Sequence, residues 1–453
     1  MQTFPVSSSI QRFSSRFKEA GFSLYIVGGA IRDYLLGLEN VDYDFTTDAE
    51  PNEVKALFGH VIPTGIEHGT VTVIFEKQMF EVTTFRSEGT YLDGRHPSSV
   101  TFIRNLEEDL KRRDFTINAF AADCTNGTII DLNGGFDDLK KKTIRAIGIP
   151  KKRFEEDALR IFRACRIASK LDFSIEEETL RAMGSEKENL KKVSSERIRE
   201  ELFKLVGSDH PKVGLTYMHQ SSILTTLFPS LAKGDGIEQG GMHKLDILQH
   251  NIATCQAAAD RAFPLAVRLA ALFHDMGKSE VIKEGETKNT FYAHESVSAR
   301  QTKAIMQYLK SSKEQIHLVT HLVKEHMFNY QGNWSDSAVR RFITRVGLED
   351  IPLLFQLRIA DQIAIHGEPN TTLIDELQER INKILAAKDA LNIKDLAIGG
   401  NDLMKMGFQG KSIGTTLSYL LETVLDDPSQ NNVEQLLTIA KNYQVSVGAT
   451  TES

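Results

Sequence analysis

The sequence predicts an α+β chain, a mixed sheet with helices followed by all-α domains, and a change of apolar period carries that prediction. Short β-branched runs, LYIVGG at 24–29, VTVIF at 71–75, FEVTTF at 80–85 and GTIIDL at 127–132, alternate with short helical stretches over residues 1–148. From Arg153 onward the period lengthens to about 3.6 residues, as in EDALRIFRACRIASKL (156–171) and SSERIREELFKLV (194–206), and strand signals nearly vanish. Glycine, proline and polar residues interrupt the helical pattern at KGDGIEQGG (233–241) and HGEPNTT (366–372). Four segments are therefore expected: 1–148, 149–232, 233–370 and 371–453.

Composition narrows the function classes. A chain of 453 residues with 41% hydrophobic and 25% charged content is long enough to bury several cores. No apolar run approaches the roughly 18 residues of a membrane span, so no membrane association is expected. The start, MQTFPVSSSIQRFSSRF, has no basic stretch followed by an apolar one, and Cys124, Cys165 and Cys255 have neither pairing nor zinc spacing. A reduced, cytoplasmic setting follows from both. The net charge of −7 argues against a general polycation, yet the span Arg104–Lys170 holds fifteen Lys/Arg against eleven Asp/Glu, a local bias toward anions.

The stretch LYIVGGAIRDYLLGLENVDYDFTT places a strand before Gly28–Gly29, a short helix carrying Arg32, and a second strand presenting Asp42 and Asp44. Strand residues two apart share a face, so the two carboxylates converge. Converging carboxylates repel unless cations lie between them, and hard oxygen ligands suit Mg²⁺, which keeps positions open for phosphate oxygens. Glycines at the mouth of a helix let those oxygens approach the backbone closely. Glu81, in FEVTTF, is a third carboxylate from a neighbouring strand. Further on, Asp157, Arg160 and Arg163 recur every third residue and Arg166 continues the row, which predicts a ridge on one helix face. An aspartate that accepts beside an arginine that donates can meet the hydrogen-bonding edge of a base.

With GGAIRD (28–33) and DYD (42–44), the blocks EEDLKRRDFTINA (107–119) and RFEEDALRIFRACR (153–166) occur in a specific order. Over residues 20–230 the chain resembles the class II nucleotidyltransferases, the group of CCA-adding tRNA nucleotidyltransferases and bacterial poly(A) polymerases. The resemblance implies a polymerase beta-like head in which Asp42 and Asp44 hold two Mg²⁺ ions that activate the 3′-hydroxyl of an RNA end. It assigns Gly28, Gly29 and Arg32 to the triphosphate, Arg113 to the nucleotide and Asn118 to the ribose. Asp157 and Arg160 would select CTP and ATP without a nucleic-acid template, with Glu156 orienting Arg160, while Arg163 and Arg166 support the phosphates or the helix geometry. The segment SEGTYLDGRHPSSV (87–100), with Asp93, Gly94, Arg95 and Pro97, resembles the loop such enzymes need for the terminal A.

A second constellation follows: His250, the dyad His274–Asp275, His294, His326 and Asp361. Imidazole with carboxylate suits a divalent metal, and helices would let these distant positions converge. The ordered set His250, His274, Asp275 and Asp361 resembles the HD phosphohydrolase superfamily. That resemblance implies that these four bind a divalent metal, whose identity stays open, with His294 and His326 at auxiliary positions and Lys278 facing phosphate. It also implies hydrolysis of phosphomonoesters or 2′,3′-cyclic phosphates. The tail segment 398–427 is similar to those that hold the tRNA body in this family.

The expected function is therefore Mg²⁺-dependent addition of C, C and A to a tRNA 3′ end from CTP and ATP, with no obligate protein partner. Two rivals stand beside it: a poly(A) polymerase or A-only-adding enzyme, and an HD phosphohydrolase whose N-terminal part binds RNA. PTGIEHGTVTVIF (63–75) is closer to the CCA-adding branch than to the arginine-rich segment of the polymerases.

Overall fold

A computed structural model describes residues 2–39, 43–88, 100–240, 244–283, 285 and 289–450. The chain divides into two compact units, Met1–Asp235 with Ile305–Ser311, and Gly236–Ala304 with Ser312–Ser453. The segments expected at 1–148 and 149–232 fall in the first unit, and the break expected at 233–241 coincides with the division.

The first unit begins with β1 (Leu24–Val27), β2 (Asp44–Thr47), β3 (Val61–Gly65), β4 (Thr70–Phe75), β5 (Gln78–Thr84), β6 (Arg86–Glu88), β7 (Val100–Phe102), β8 (Phe120–Asp123) and β9 (Ile129–Asp131). Seven of these form one sheet in the order β3-β4-β5-β2-β1-β8-β9, while β6 pairs with β7. β2 runs parallel to β5 and antiparallel to β1, so the sheet is mixed, as the sequence predicts. Its register places Asp44 opposite Glu81 and Phe45 opposite Val82. Because side chains alternate, the carboxylates take one face and the apolar pair the other.

The helix Ser8–Glu19 covers the apolar face. Ser7 caps it by accepting from the Ile10 N–H, and Ile10, Phe13 and Phe17 fall on one side of it and are buried. The Phe13 ring stacks on Phe80 at 4.2 Å and meets Phe45, Phe58 and Phe75 within 6 Å. Five rings thus fill the space between helix and sheet, and burying each contributes about 1.5–3 kcal/mol.

Beyond the sheet the regular structure of the described residues is helical apart from two short strands, Thr143–Ile144 and Ser174–Ile175, which pair in parallel. The periodicity predicts one helix over 156–171, but the structure has two, Pro150–Glu156 and Leu159–Leu171, broken at Asp157. Asp157 is extended (φ −138°, ψ 101°), and its Oδ1 accepts the Leu159 N–H at 3.0 Å. A short polar side chain that satisfies the next helix's first donors competes with helix continuation. The three-residue ridge is thereby corrected: Arg160, Arg163 and Arg166 lie on the second helix, and Asp157 precedes it.

In the second unit, Ile247–Asp260, Leu265–Phe273, Lys313–Glu325 and Ile351–His366 pack on one another. The last of these stops at Gly367, whose positive φ of 84° no L side chain adopts cheaply, within the break expected at 366–372. Asp336–Val346, Thr372–Ala387, Gly400–Lys405, Lys411–Asp426 and Val433–Thr450 are further helices of this unit. Among the described residues no helix is long and apolar enough to cross a membrane. Cys124, Cys165 and Cys255 are buried, with no disulfide among them.

The aromatic cluster predicts that Phe13→Ala destabilises the first unit by about 3–5 kcal/mol. Urea unfolding followed by circular dichroism should show the earliest transition of the full chain shifted to lower denaturant; an unshifted transition would place the core elsewhere.

Candidate active site

On the polar face of the sheet lies a cavity of about 880 Å³. Eleven of the residues singled out from the sequence line it: Gly28, Gly29, Arg32, Asp44, Glu81, Arg113, Asn118, Asp157, Arg160, Arg163 and Arg166. Asp42, and most of the segment 87–100, lie outside the described residues. The described lining carries eight arginines and one lysine against five carboxylates, so the cavity as a whole suits an anion.

Its floor is the strand register. Asp44 stands between Val27 of β1 and Glu81 of β5, which brings two carboxylates side by side above the sheet. Gly28 follows β1 with φ 82° and ψ −145°, a conformation suited to glycine, and opens the helix Gly29–Leu35. A Cβ at Gly28 would stand 3.6 Å from Asp44 Oδ2 and 3.7 Å from Arg113 Nη1, so the turn keeps carboxylate and guanidinium close to the backbone.

The cationic wall is held by buried acids. Asp109, fully buried, accepts from Arg112 Nη2 at 2.8 Å and Arg113 Nη2 at 3.4 Å, fixing both arginines of the RRD sequence. Arg113 Nε is buried and unpartnered, an orphaned donor beside the cavity. Burial pushes the Arg113 guanidinium below its ordinary value, the nearby Asp109 opposing. Arg160 donates to Glu156 Oε2 at 2.8 Å and to the Arg112 carbonyl at 3.1 Å. Asp157 accepts from Arg197 Nη2 at 3.0 Å, and Arg166 is paired with Glu201.

One chain of alternating charge crosses the cavity wall. Lys170 Nζ meets Asp33 Oδ2 at 2.9 Å, Asp33 Oδ1 accepts from Arg32, Arg32 donates to Asn118, and Asn118 Nδ2 reaches Asp114 Oδ1 at 3.2 Å. Asp114 Oδ2 then accepts from Arg163 at 2.6 and 2.8 Å. Burial alone would raise the Asp114 carboxyl, but the Arg163 guanidinium outweighs it and the group sits at about 2. Asn118, expected near the ribose, is buried within this chain. Asp33, Asp109, Asp114, Lys170 and Arg197 escaped the sequence reading. Asp33, beside Arg32 in GGAIRD, and Asp109 and Asp114, flanking Arg112–Arg113 in one block, had a local signal.

The second unit gathers the other set. His250 Nε2 lies 3.3 Å from His274 Nε2 and 3.1 Å from Asp361 Oδ1, and His274 Nε2 lies 3.3 Å from Asp275 Oδ2. His294 and His326 approach the other Asp275 oxygen, Oδ1, at 3.0 and 3.5 Å. Lys278 Nζ donates to Asp275 Oδ2 at 2.6 Å. Burial opposes ionisation of Asp275 and Asp361, yet the surrounding His274, Lys278 and His250 hold both carboxyls well below the usual range. Burial would likewise lower His274, but Asp275 and Asp361 raise it to about 10. Two groups here have ligand atoms close enough to share an ion: His250, His274 and Asp275, and Asp275, His294 and His326.

Comparison with known proteins covers both units. Residues 24–145 match the Poly A polymerase head domain, 172–234 the RNA and SrmB-binding site of polymerase A, and 284–440 the tRNA nucleotidyltransferase domain 2. The CCA-adding enzyme of Levilactobacillus brevis is 53% identical over 44% of this chain, and the match spans half of that enzyme's length. The CCA-adding enzyme of Enterococcus faecalis is 35% identical over 94% of this chain and 93% of its own length. The crystal structure of the Bacillus stearothermophilus CCA-adding enzyme in complex with CTP superposes with a TM-score of 0.72 at 26% identity, covering 97% of this chain and 98% of that one.

The Asp114–Arg163 pair gives a pH prediction. A carboxyl at about 2 in the folded chain, against about 3.9 unfolded, contributes stability that is complete above the unfolded value. It is lost as pH falls through about 2. Allowing for solvent on the exposed side of Arg163, the contribution is on the order of 1–2 kcal/mol. Urea titrations at neutral pH and near pH 3 should show that Asp114→Asn lowers stability at neutral pH and flattens the acid limb of the wild-type profile.

Proposed function

The chain belongs to the family of CCA-adding enzymes, and from that membership and the first unit's cavity we propose that it adds C, C and A to the 3′ end of tRNA, taking CTP and ATP as substrates. The observation that carries this reading is the Asp44–Glu81 pair facing a cavity whose lining also carries eight arginines. Adjacent carboxylates beside arginines leave a place for a cation and its polyphosphate together. We assign Asp44 and Glu81, together with Asp42, as the residues that would hold Mg²⁺. When bound, Mg²⁺ supplies activation of the 3′-hydroxyl and charge neutralisation at the α-phosphate.

The chain's own groups do the rest. The Gly28 turn brings the backbone and Arg113 within reach of a triphosphate, and the orphaned Arg113 Nε is a donor awaiting an anionic acceptor. Asp157 accepts and Arg160 donates at the base edge, so the selecting pattern is built from protein rather than from a template strand. Arg197 and Glu156 hold those two in place, and the chain from Lys170 to Arg163 fixes the wall behind them. Arg32 serves this chain as well as the cavity. The division into a head at 1–148, a nucleotide-selecting segment at 149–232, a metal-binding helical segment at 233–370 and a tRNA-holding tail at 371–453 belongs to the same proposal. So do a cytoplasmic location and the absence of an obligate protein partner.

For the second unit we propose a bound divalent metal at His250, His274, Asp275 and Asp361. The supporting observation is that His274 Nδ1 lies 2.9 Å from the Ala271 carbonyl. A carbonyl only accepts, so Nδ1 carries a proton there and Nε2 is the nitrogen turned to the cluster. Hydrolysis of a phosphate ester is the chemistry such a centre would serve.

Incubating the purified chain with tRNA ending at the discriminator base, at CC or at CCA, with CTP, ATP or both, should give growth by C, C and A and then arrest. Product sizing that showed long A tails would favour the poly(A) rival suggested by the head and RNA-binding models. Asp44→Ala should abolish addition. Asp157→Ala should reduce the preference for CTP and ATP over UTP and GTP by about tenfold or more, the worth of a charge-assisted hydrogen bond; unchanged base selection would refute the assignment of the base edge.

A further inference from the structure

The helix Leu159–Leu171 presents one row of cations to the nucleotide cavity. Arg160, Arg163, Arg166 and Lys170 follow one another at intervals of three, three and four residues, so they share a face of the helix, and all four line the cavity. From the first to the last the row is about 15 Å long at about 1.5 Å per residue, roughly the reach of an extended nucleoside triphosphate. Its first member follows Asp157, whose carbonyl accepts the Arg160 N–H at 3.1 Å, at the proposed base edge. Its last member meets the residues assigned to the triphosphate. Lys170 Nζ lies 2.9 Å from Asp33 Oδ2, and the other oxygen of that carboxylate, Oδ1, accepts from Arg32 Nε at 2.8 Å and from Arg32 Nη2 at 2.6 Å. The row thus has the polarity of a nucleotide, with the base at Arg160 and the phosphates at Lys170.

We propose that Lys170 contacts the terminal phosphates of the triphosphate and of the pyrophosphate product, with Asp33 as its positioning residue. The proposal rests on the reading of this cavity as a CTP and ATP site and adds a residue to it. The side chains of Asp33 and Arg32 are 3% and 7% exposed, whereas that of Lys170 is 46% exposed, so a buried carboxylate holds an ammonium that stays open to the cavity. Of the three donors on that ammonium, Asp33 takes one, and the others can turn to phosphate oxygens. One carboxylate between two cations leaves a unit of positive charge at this end of the cavity, which favours a polyphosphate over a monophosphate. A compact ammonium on a flexible stem can also follow a phosphate as it departs, where the fork of a guanidinium would hold it in one geometry. Because Lys170 stands at the phosphate end of the row, it serves CTP and ATP alike and takes no part in the choice between bases.

Steady-state addition of C and of A by the full chain, compared with Lys170→Met and Lys170→Arg, provides the test. Lys170→Met should raise the KM for CTP and for ATP by about tenfold or more, the worth of a charge-assisted hydrogen bond, and weaken inhibition by inorganic pyrophosphate by a similar factor. Lys170→Arg keeps the charge and should recover most of both losses. Inhibition by CMP, which lacks the terminal phosphates, should be the same in all three proteins. A purely structural ion pair between Lys170 and Asp33 would instead shift the CMP constant or the urea midpoint and leave pyrophosphate inhibition as it was, and that outcome overturns the proposal. So does a Lys170→Met chain with unaltered KM values. An unsubstituted chain that adds no C overturns the reading of the cavity, and this proposal with it. Should Lys170→Met fail to fold, Lys170→Gln read by the same constants decides the point.

Discussion

The pairing of β2 between β1 and β5 is the constraint on which the first unit depends. Because side chains alternate along a strand, the register that sets Asp44 beside Glu81 also sets Phe45 beside Val82. A slip of one residue would turn the carboxylates into the aromatic cluster around Phe13 and turn Phe45 into the cavity. The cost of burying unpaired carboxylates makes that alternative far less stable, so the packing that stabilises the sheet also aims its acids. Core and site are two faces of a single choice of register.

Above that floor, the cavity wall is a problem in holding like charges together. Eight arginines near one cavity would repel, and the structure sets buried acids among them: Asp109 behind Arg112 and Arg113, Asp114 behind Arg163, and Asp33 between Arg32 and Lys170. These acids neutralise part of the wall and fix side chains that would otherwise sample many rotamers. What survives is a modest positive surplus with defined directions, which suits an anion whose shape matters as well as its charge. The break at Asp157 belongs to this arrangement, since a continuous helix would hold that carboxylate in line with Arg160 and away from the N–H of Leu159.

The second unit solves a related problem with imidazoles. Main-chain carbonyls three residues upstream fix the tautomers of His274, His294 and His326, so helix geometry decides which nitrogen faces the cluster. Asp275 occupies the centre because the HD dyad lies just past the end of Leu265–Phe273, where two successive side chains can reach one focus. Membership of the CCA-adding family supports the proposal for the first unit, and the geometry of this cluster supports the separate metal proposal.

Sequence alone determined the features that neighbouring residues encode. Period-two alternation marked the strands with Asp44 and Glu81, Gly28–Gly29 marked the turn, ordered blocks marked the family, and the HD dyad with its spaced histidines marked the second cluster. It misjudged the helix at 156–171 because the apolar spacing on either side of Asp157 is compatible with one unbroken helix, and the competing side-chain cap adds no apolar signal. Asp114 with Arg163, Asp33 with Lys170, and the division of Asp275 between two histidine pairs were settled only by tertiary structure. Most of those partners lie tens to more than a hundred residues apart, and periodicity reports which face a side chain takes, whereas the closure of the chain decides what it meets there.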